Sequence, residues 1–160
     1  YLDKIGETAK QLSSGITNFI WTLDPQQDSL YDVAFYLKDF GDELFSKTGI
    51  HFWAEEIAVS MKKVKMPMHW RRHITLLFKE SMNNILKHSA CENVTFKVQV
   101  WHDRFDIILA DDGNGFDVSL YTTGKGLRNM RNRARKIQCT LKIESRPQQG
   151  TTICLSGRNR

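Results

Sequence analysis

Asp111, Gly113 and Gly115 lie in the run Leu109-Ala-Asp-Asp-Gly-Asn-Gly-Phe116, at the end of a stretch patterned as a strand. A carboxylate held at a strand end, followed by glycines that let the backbone come close to a ligand, suits a flat base carrying an amino group. Taken alone, the same run makes a glycine turn with an acidic flank. Three further runs stand around it in order. Upstream, Glu80, Asn84 and Lys87 are spaced by four and three residues, so on a helix they share one stripe, with His88 beside them. By itself such a stripe is a solvated helix face. Downstream, Gly124 and Gly126 precede a helical run; free backbone N–H groups at a helix N-terminus form a phosphate site, and without one the glycines are a hinge. Last comes Gly150-Thr151-Thr152, whose hydroxyls either hydrogen-bond near a base or simply favour a strand.

These residues need elements to position them. Ile5, Ala9, Leu12, Ile16, Phe19 and Leu23 alternate in spacings of four and three, which makes a heptad seam on a helix ending at Asp24-Pro25. The seam is shorter than the ~3 to 4 heptads that define a coiled coil, and no second seam helix follows after a short loop. Its alternative is an amphipathic helix lying on its own domain. Ser29 and Asp32 form a capping box with Asp in place of Glu, opening a helix through Leu30, Val33, Leu37, Phe40 and Leu44 up to Gly49. The spacing predicts a strand over 50–59, a basic loop over 62–67, and a helix over 69–88 whose apolar face is Ile74, Phe78, Met82 and Ile85. Val94, Phe96, Val98 and Val100 alternate in one strand, and 105–110 makes another after a turn at 102–104. A loop over 117–125, a helix over 126–137 and a hairpin of 140–145 with 151–156 complete the chain. Helices interspersed with paired strands fit an α+β fold, a two-layer sandwich with helices on one face of a mixed sheet.

At 160 residues, with 41% hydrophobic and 26% charged residues, the chain holds one globular domain with a real core plus an appendage. No apolar run approaches the roughly 20 residues that span a bilayer, and no signal peptide is visible. Beginning at Tyr1, the chain is expected to be part of a longer protein in which an anchor could lie elsewhere. Cys91, Cys139 and Cys154 are odd in number, lack metal-ligand spacing with the histidines, and read as reduced thiols in a reducing compartment. The net charge of +5 and the cluster Arg128, Arg131, Arg133, Arg135 and Lys136 suggest nucleic acid. On a helix those cations spread around the axis, and no aromatic residues interleave with them, so the reading is against nucleic acid.

Taken together, in this order and spacing, the four runs resemble the N box, two glycine boxes and terminal Gly-Thr-Thr of the ATP-binding domain of sensor histidine kinases. That family sits within the gyrase, heat-shock chaperone, histidine kinase and mismatch-repair ATPase superfamily, with its Bergerat-type fold. The resemblance runs from about Ser29 to Ser156 and is closest to the short-lid subfamily, in which a helix ending in residues like Ile20 to Pro25 often precedes the domain. It implies domains at 1–25, the end of a dimerisation and phosphoacceptor bundle helix, and at 26–160, the catalytic ATP-binding domain.

The resemblance also implies roles. Asn84 would give an amide oxygen to Mg²⁺, a hard cation that needs only one or two protein oxygens beside phosphates. Lys87 and His88 would reach the phosphate oxygens, with neutral surface roles as their alternative. Glu80 would polarise or order water near the metal rather than activate it, since the nucleophile in this family is an imidazole. Asp111 would accept a hydrogen bond from the exocyclic amino group of adenine, a donor that guanine replaces with an acceptor oxygen. Gly113 and Gly115 would let the backbone pass the base, and Asp112 stands where the family usually has Asn, adding a carboxylate beside the site. Gly124 and Gly126 would cradle phosphate, the loop between Phe116 and Gly124 would be the lid, and Asn129 would cap the helix or contact phosphate. Leu127 and Met130 would pack, with Leu127 against the cofactor, and Thr151 and Thr152 would bond near the base.

The implied protein is a histidine kinase that passes the γ-phosphate of ATP to a histidine on a bundle helix outside residues 1–160. It would be a homodimer in the cytoplasm as part of a membrane-anchored receptor, without direct membrane contact, and would serve a response-regulator receiver domain. The alternatives are an ATP-binding regulatory scaffold without phosphotransfer, or an ATPase or serine kinase on the same fold.

Overall fold

The computed structural model describes residues 1–120 and 124–159, apart from the side chains of Ser14 and Asn18. Along the chain run α1 (Leu2–Leu23), α2 (Leu30–Phe45), β1 (His51–Ala54), a 3-10 turn (Val59–Lys63), α3 (Met68–Asn84), a π-helical turn (Ile85–Ser89), β2 (Asn93–Trp101), β3 (Arg104–Asp111), α4 (Lys125–Lys136), β4 (Thr140–Ser145) and β5 (Thr151–Arg158). The five strands form one sheet in the order β1-β2-β3-β5-β4. Only β1 runs parallel to its neighbour β2; the remaining pairs are antiparallel, so the sheet is mixed as expected.

Alternation decides which face is covered. Val94, Phe96 and Val98 of β2, Phe105, Ile107 and Leu109 of β3, and Ile153 and Leu155 of β5 are buried beneath the helices. From the helix side come Leu30, Val33 and Leu37 of α2 and Ile74, Leu77, Phe78 and Met82 of α3. Each such side chain removed from water contributes about 1.5–3 kcal/mol, so this shared layer holds the sandwich together. Phe78 of α3 meets Phe96 of β2 edge-on at 6.3 Å between centroids, marking where the layers touch.

The start of α2 is the expected box: the Ser29 hydroxyl accepts from Asp32 N at 3.3 Å, and Asp32 Oδ2 accepts from Ser29 N at 3.0 Å. Two assignments change. Residues 50–59 are a strand only from His51 to Ala54; Glu55 N still donates to Phe96 O of β2 at 2.9 Å, and further on the hydrogen bonds turn local, Met61 N donating to Ala58 O and Val64 N to Met61 O. The expected helix 69–88 is α-helical through Asn84 and then widens into the π turn, closing at Ala90 with φ 49°.

α1 stands apart from this core. Ile5, Leu12, Ile16, Phe19 and Leu23, most of the seam, are exposed. Contact begins at its last turn, where Trp21 stacks on Tyr36 at 4.2 Å and Thr22 is buried. Buried Arg71 of α3 donates from Nη1 to Asp24 O at 2.9 Å and to Trp21 O at 3.4 Å, satisfying carbonyls at the helix end with a charged donor.

Candidate functional site

Between the C-terminal half of α3, the start of α4, the end of β3 and the start of β5 lies a cavity of about 570 Å³. Among the residues singled out from sequence, Asn84, His88, Asp111, Gly124, Gly126, Leu127 and Thr151 line it. They come from α3, the π turn that follows it, β3, the start of α4 with its cap, and β5, and packing of α3 and α4 on one sheet face brings them together.

Asp111 is the last residue of β3 and is only 9% exposed. Its Oδ1 accepts from Gly113 N at 2.9 Å, and its Oδ2 has no hydrogen-bond partner among the described residues. Burial pushes its carboxyl above the ordinary carboxylate value, against the opposing pull of the Gly113 N–H. The result is an oriented acceptor on a cavity wall. Gly113 and Gly115 stand behind it as backbone: a Cβ on Gly113 would collide with Ser89 O, and one on Gly115, at φ +59°, with Arg146 O. The loop is laced in place by Asn114 N donating to Ser89 O at 2.7 Å and Gly150 N donating to Gly113 O at 2.9 Å.

Asp112 does not add a carboxylate to the cavity. Its Oδ1 accepts from Glu92 N and Asn93 N, each at 2.9 Å, and its Oδ2 accepts from Asn93 Nδ2 at 2.8 Å. These bonds, led by those from Asn93, hold the Asp112 carboxyl below its ordinary value. The residue clips the end of β3 to the start of β2.

At the other wall, Asn84 ends α3, and its side chain makes no hydrogen bond among the described residues. The π turn that follows advances each residue by less than an α-helix does, so His88 rather than Lys87 comes back over Asn84. Lys87 is exposed and off the lining. Glu80 is exposed at the rim, with Oε1 3.2 Å from where a Cβ on Gly126 would lie and Asn84 Nδ2 3.6 Å from it. Gly126 therefore leaves room for the polar stripe of α3. Gly124 caps α4 without a side-chain bond, so the first-turn amides of that helix are available at the cavity edge.

The remaining candidates lie elsewhere. Thr152 pairs with Ala110 and Glu144 on the sheet face turned from the helices, one residue out of phase with Thr151. Asn129 is exposed and lines a separate depression of about 400 Å³ with Asn132, Arg133, Arg135 and Lys136. Residues 121–123 of the expected lid lie outside the described residues. The cavity also takes Ser81, Ile85, Ser89, Phe116, Met130 and Ile153, which sequence reasoning did not assign to it. For three of them the signal was helical adjacency: Ser81, Ile85 and Ser89 repeat every four residues alongside Asn84 and His88. Buried Met130 fills the floor with its Sδ 3.0 Å from Ser81 Oγ.

Cys91, Cys139 and Cys154 are free thiols, and burial pushes Cys139 up to about 11. No helix among the described residues is long and apolar enough to cross a membrane, and no described cluster of His, Cys, Asp and Glu forms a metal site by itself.

Comparison with known proteins agrees with this geometry. Residues 71–157 match the family model described as histidine kinase-, DNA gyrase B-, and HSP90-like ATPase. The chain is 30% identical over 122 residues to the signal transduction histidine-protein kinase/phosphatase DegS of Brevibacillus brevis, covering 76% of this chain and 30% of that protein. It is 30% identical over 99 residues to the sensor protein VraS of Staphylococcus epidermidis, covering 61% of this chain and 28% of that one. The chain thus spans about three tenths of the relatives' length. The histidine kinase domain of the blue-light activated histidine kinase from Erythrobacter litoralis superposes with a TM-score of 0.63 at 17% identity, over 79% of this chain and 61% of that one, a likeness of fold.

Proposed function

Since this chain belongs to the family of histidine kinase-, DNA gyrase B-, and HSP90-like ATPases, we propose that it is the ATP-binding catalytic domain of a two-component sensor histidine kinase. The observation that carries this reading is Asp111: a buried carboxylate with one oxygen fixed by Gly113 N–H and the other on the wall of a cavity large enough for a nucleotide. An acceptor so held matches an exocyclic amino group and rejects an oxo group.

Around it each residue has a task. The glycines at 113 and 115 keep the loop against the base edge, and Thr151 adds a polar contact beside Asp111. Leu127, Met130 and Ile153 supply the apolar floor. The amides of α4 after Gly124, with His88, meet the phosphates at the rim. Asn84 would hold Mg²⁺ through its amide oxygen; a neutral donor beside phosphates suits a cation that keeps most of its waters. Glu80 orders water at the same rim. Lys87 is set to reach phosphate only by swinging in from solvent, and Asn129 and Thr152 carry no part in this reading. ATP, when bound, supplies the phosphoryl group, and the protein's share is positioning and charge compensation.

Residues 26–160 form the catalytic domain, and 1–25 the end of a bundle helix whose exposed seam meets another helix in a homodimer. The acceptor is a histidine on a helix outside residues 1–160, because none of the five histidines lies on α1. A response-regulator receiver domain takes the phosphoryl group onward, and the whole works in the cytoplasm. Calorimetric titration with Mg-ADP and Mg-GDP tests the reading. Binding of ADP, with GDP weaker by tenfold or more, is expected; no binding of either overturns it.

A further inference from the structure

At the end of β4 the Ser145 hydroxyl takes part in three hydrogen bonds. It accepts from Phe116 N at 2.9 Å, donates to Gly150 O at 3.1 Å, and lies 2.8 Å from Thr151 Oγ1. A hydroxyl has one hydrogen and two acceptor lone pairs. The Gly150 carbonyl can only accept, so it takes the Ser145 hydrogen; the Phe116 N–H can only donate. The contact with Thr151 then runs one way, from the Thr151 hydroxyl to Ser145 Oγ. Thr151 has spent its only hydrogen, and what its Oγ1 can offer a ligand is lone pairs.

Thr151 lines the cavity and is the direct cross-strand partner of Asp111. The Asp111 carboxylate is likewise acceptor-only, with Oδ1 already used by Gly113 N. We propose that Ser145 is a specificity-determining positioning residue: by consuming the Thr151 hydrogen, it makes Thr151 a second acceptor beside Asp111, and the pair selects a base whose amino group carries two hydrogens. The inference rests on the reading of this cavity as a nucleotide site. Ser145 touches no ligand itself and acts through Thr151, while its bond to Phe116 N holds the chain at Phe116.

The test compares ADP with IDP, which has an oxo group where adenine has its amino group, by calorimetry on the whole chain. Ser145→Ala releases the Thr151 hydrogen, which can then turn to donate to the oxo group. The ADP-over-IDP preference is expected to fall by about two- to tenfold, the worth of one neutral hydrogen bond. Ser145→Thr, which restores the hydroxyl on a residue suited to a strand, is expected to recover it. Thr151→Val leaves the Ser145 bonds to Phe116 and Gly150 in place and is expected to lose the same share, with Ser145→Ala adding nothing in that background. Equal weakening of both nucleotides by Ser145→Ala, or a preference untouched by Thr151→Val, would show a merely structural clip and overturn the proposal. If the unsubstituted chain binds neither nucleotide, the nucleotide reading falls and this inference with it.

Discussion

Replacing Asp111 by Asn is the sharpest perturbation of this site because the local geometry dictates how the new side chain must sit. The Gly113 N–H, 2.9 Å from Oδ1, needs an acceptor, so the Asn amide oxygen has to take that place. Its NH₂ group is then forced toward the cavity, where Asp111 had offered an acceptor. Adenine's amino group loses a charge-assisted bond worth about 1.5–3 kcal/mol and meets a donor in its place. At roughly 1.4 kcal/mol per decade, ADP affinity should fall by about tenfold to a hundredfold, while GDP, with its oxo group, should hold or gain. Stability moves the other way. Because burial raises the folded-state pKa of Asp111, its contribution is fully present below the unfolded value and is lost as pH rises through the folded one. At neutral pH the ionised carboxylate therefore costs the ligand-free fold, and Asp111→Asn should raise its Tm there, with the gain vanishing below about pH 4. Calorimetry with both nucleotides and melting curves from pH 3 to 7 check the two halves. ADP bound undiminished by the variant, or ADP and GDP lost in equal measure, would refute the reasoning.

Asn84→Ala should weaken ADP binding far more with Mg²⁺ than with a chelator present; equal losses in paired titrations would remove Asn84 as the metal ligand. Asp112→Asn should leave ADP affinity within about twofold, since Asp112 faces the backbone of Glu92 and Asn93 rather than the cavity. Its lowered pKa gives stability that is present above the ordinary Asp value and lost as pH falls through the folded one, so the wild-type Tm should drop more steeply on acidification than that of Asp112→Asn. Finally, the 160-residue chain incubated with γ-labelled Mg-ATP should carry no acid-labile phosphate, because α1 has no histidine; stoichiometric label would place the acceptor among its five histidines.

The helices and central strands were legible because burial imposes a period on them. Ile74, Phe78 and Met82 repeat on α3, and Val94, Phe96 and Val98 alternate on β2, each series buried as the pattern requires. The stretch 50–59 misled for a physical reason. Ile57, Val59 and Met61 alternate like a strand, yet β1 is the edge of the sheet, and beyond Ala54 the chain turns so that Met61, Val64 and Met66 enter the core. Periodicity reports burial and not the partner of the backbone. The π turn was equally hidden, since one widened turn leaves the apolar spacing of a helix almost unchanged.

In the site, residue type located the chemistry, and phase decided who takes part. Thr151 and Thr152 are chemically identical, but the pleat sends one into the cavity and the other to the far face. Lys87 and His88 both suit phosphate, and the widened turn favours His88. Asn129 follows Gly126 by one helical turn, yet Met130 is the residue that α4 turns inward. Ser145 carried no signal at all: a strand serine before a turn is ordinary, and its role exists only once Phe116, Gly150 and Thr151 converge on one hydroxyl. The direction of a hydrogen bond is a property of the assembled network, in which each donor is counted against each acceptor. Selectivity for an amino over an oxo group depends on that direction, so it was the part of this site least accessible from sequence and most dependent on the fold.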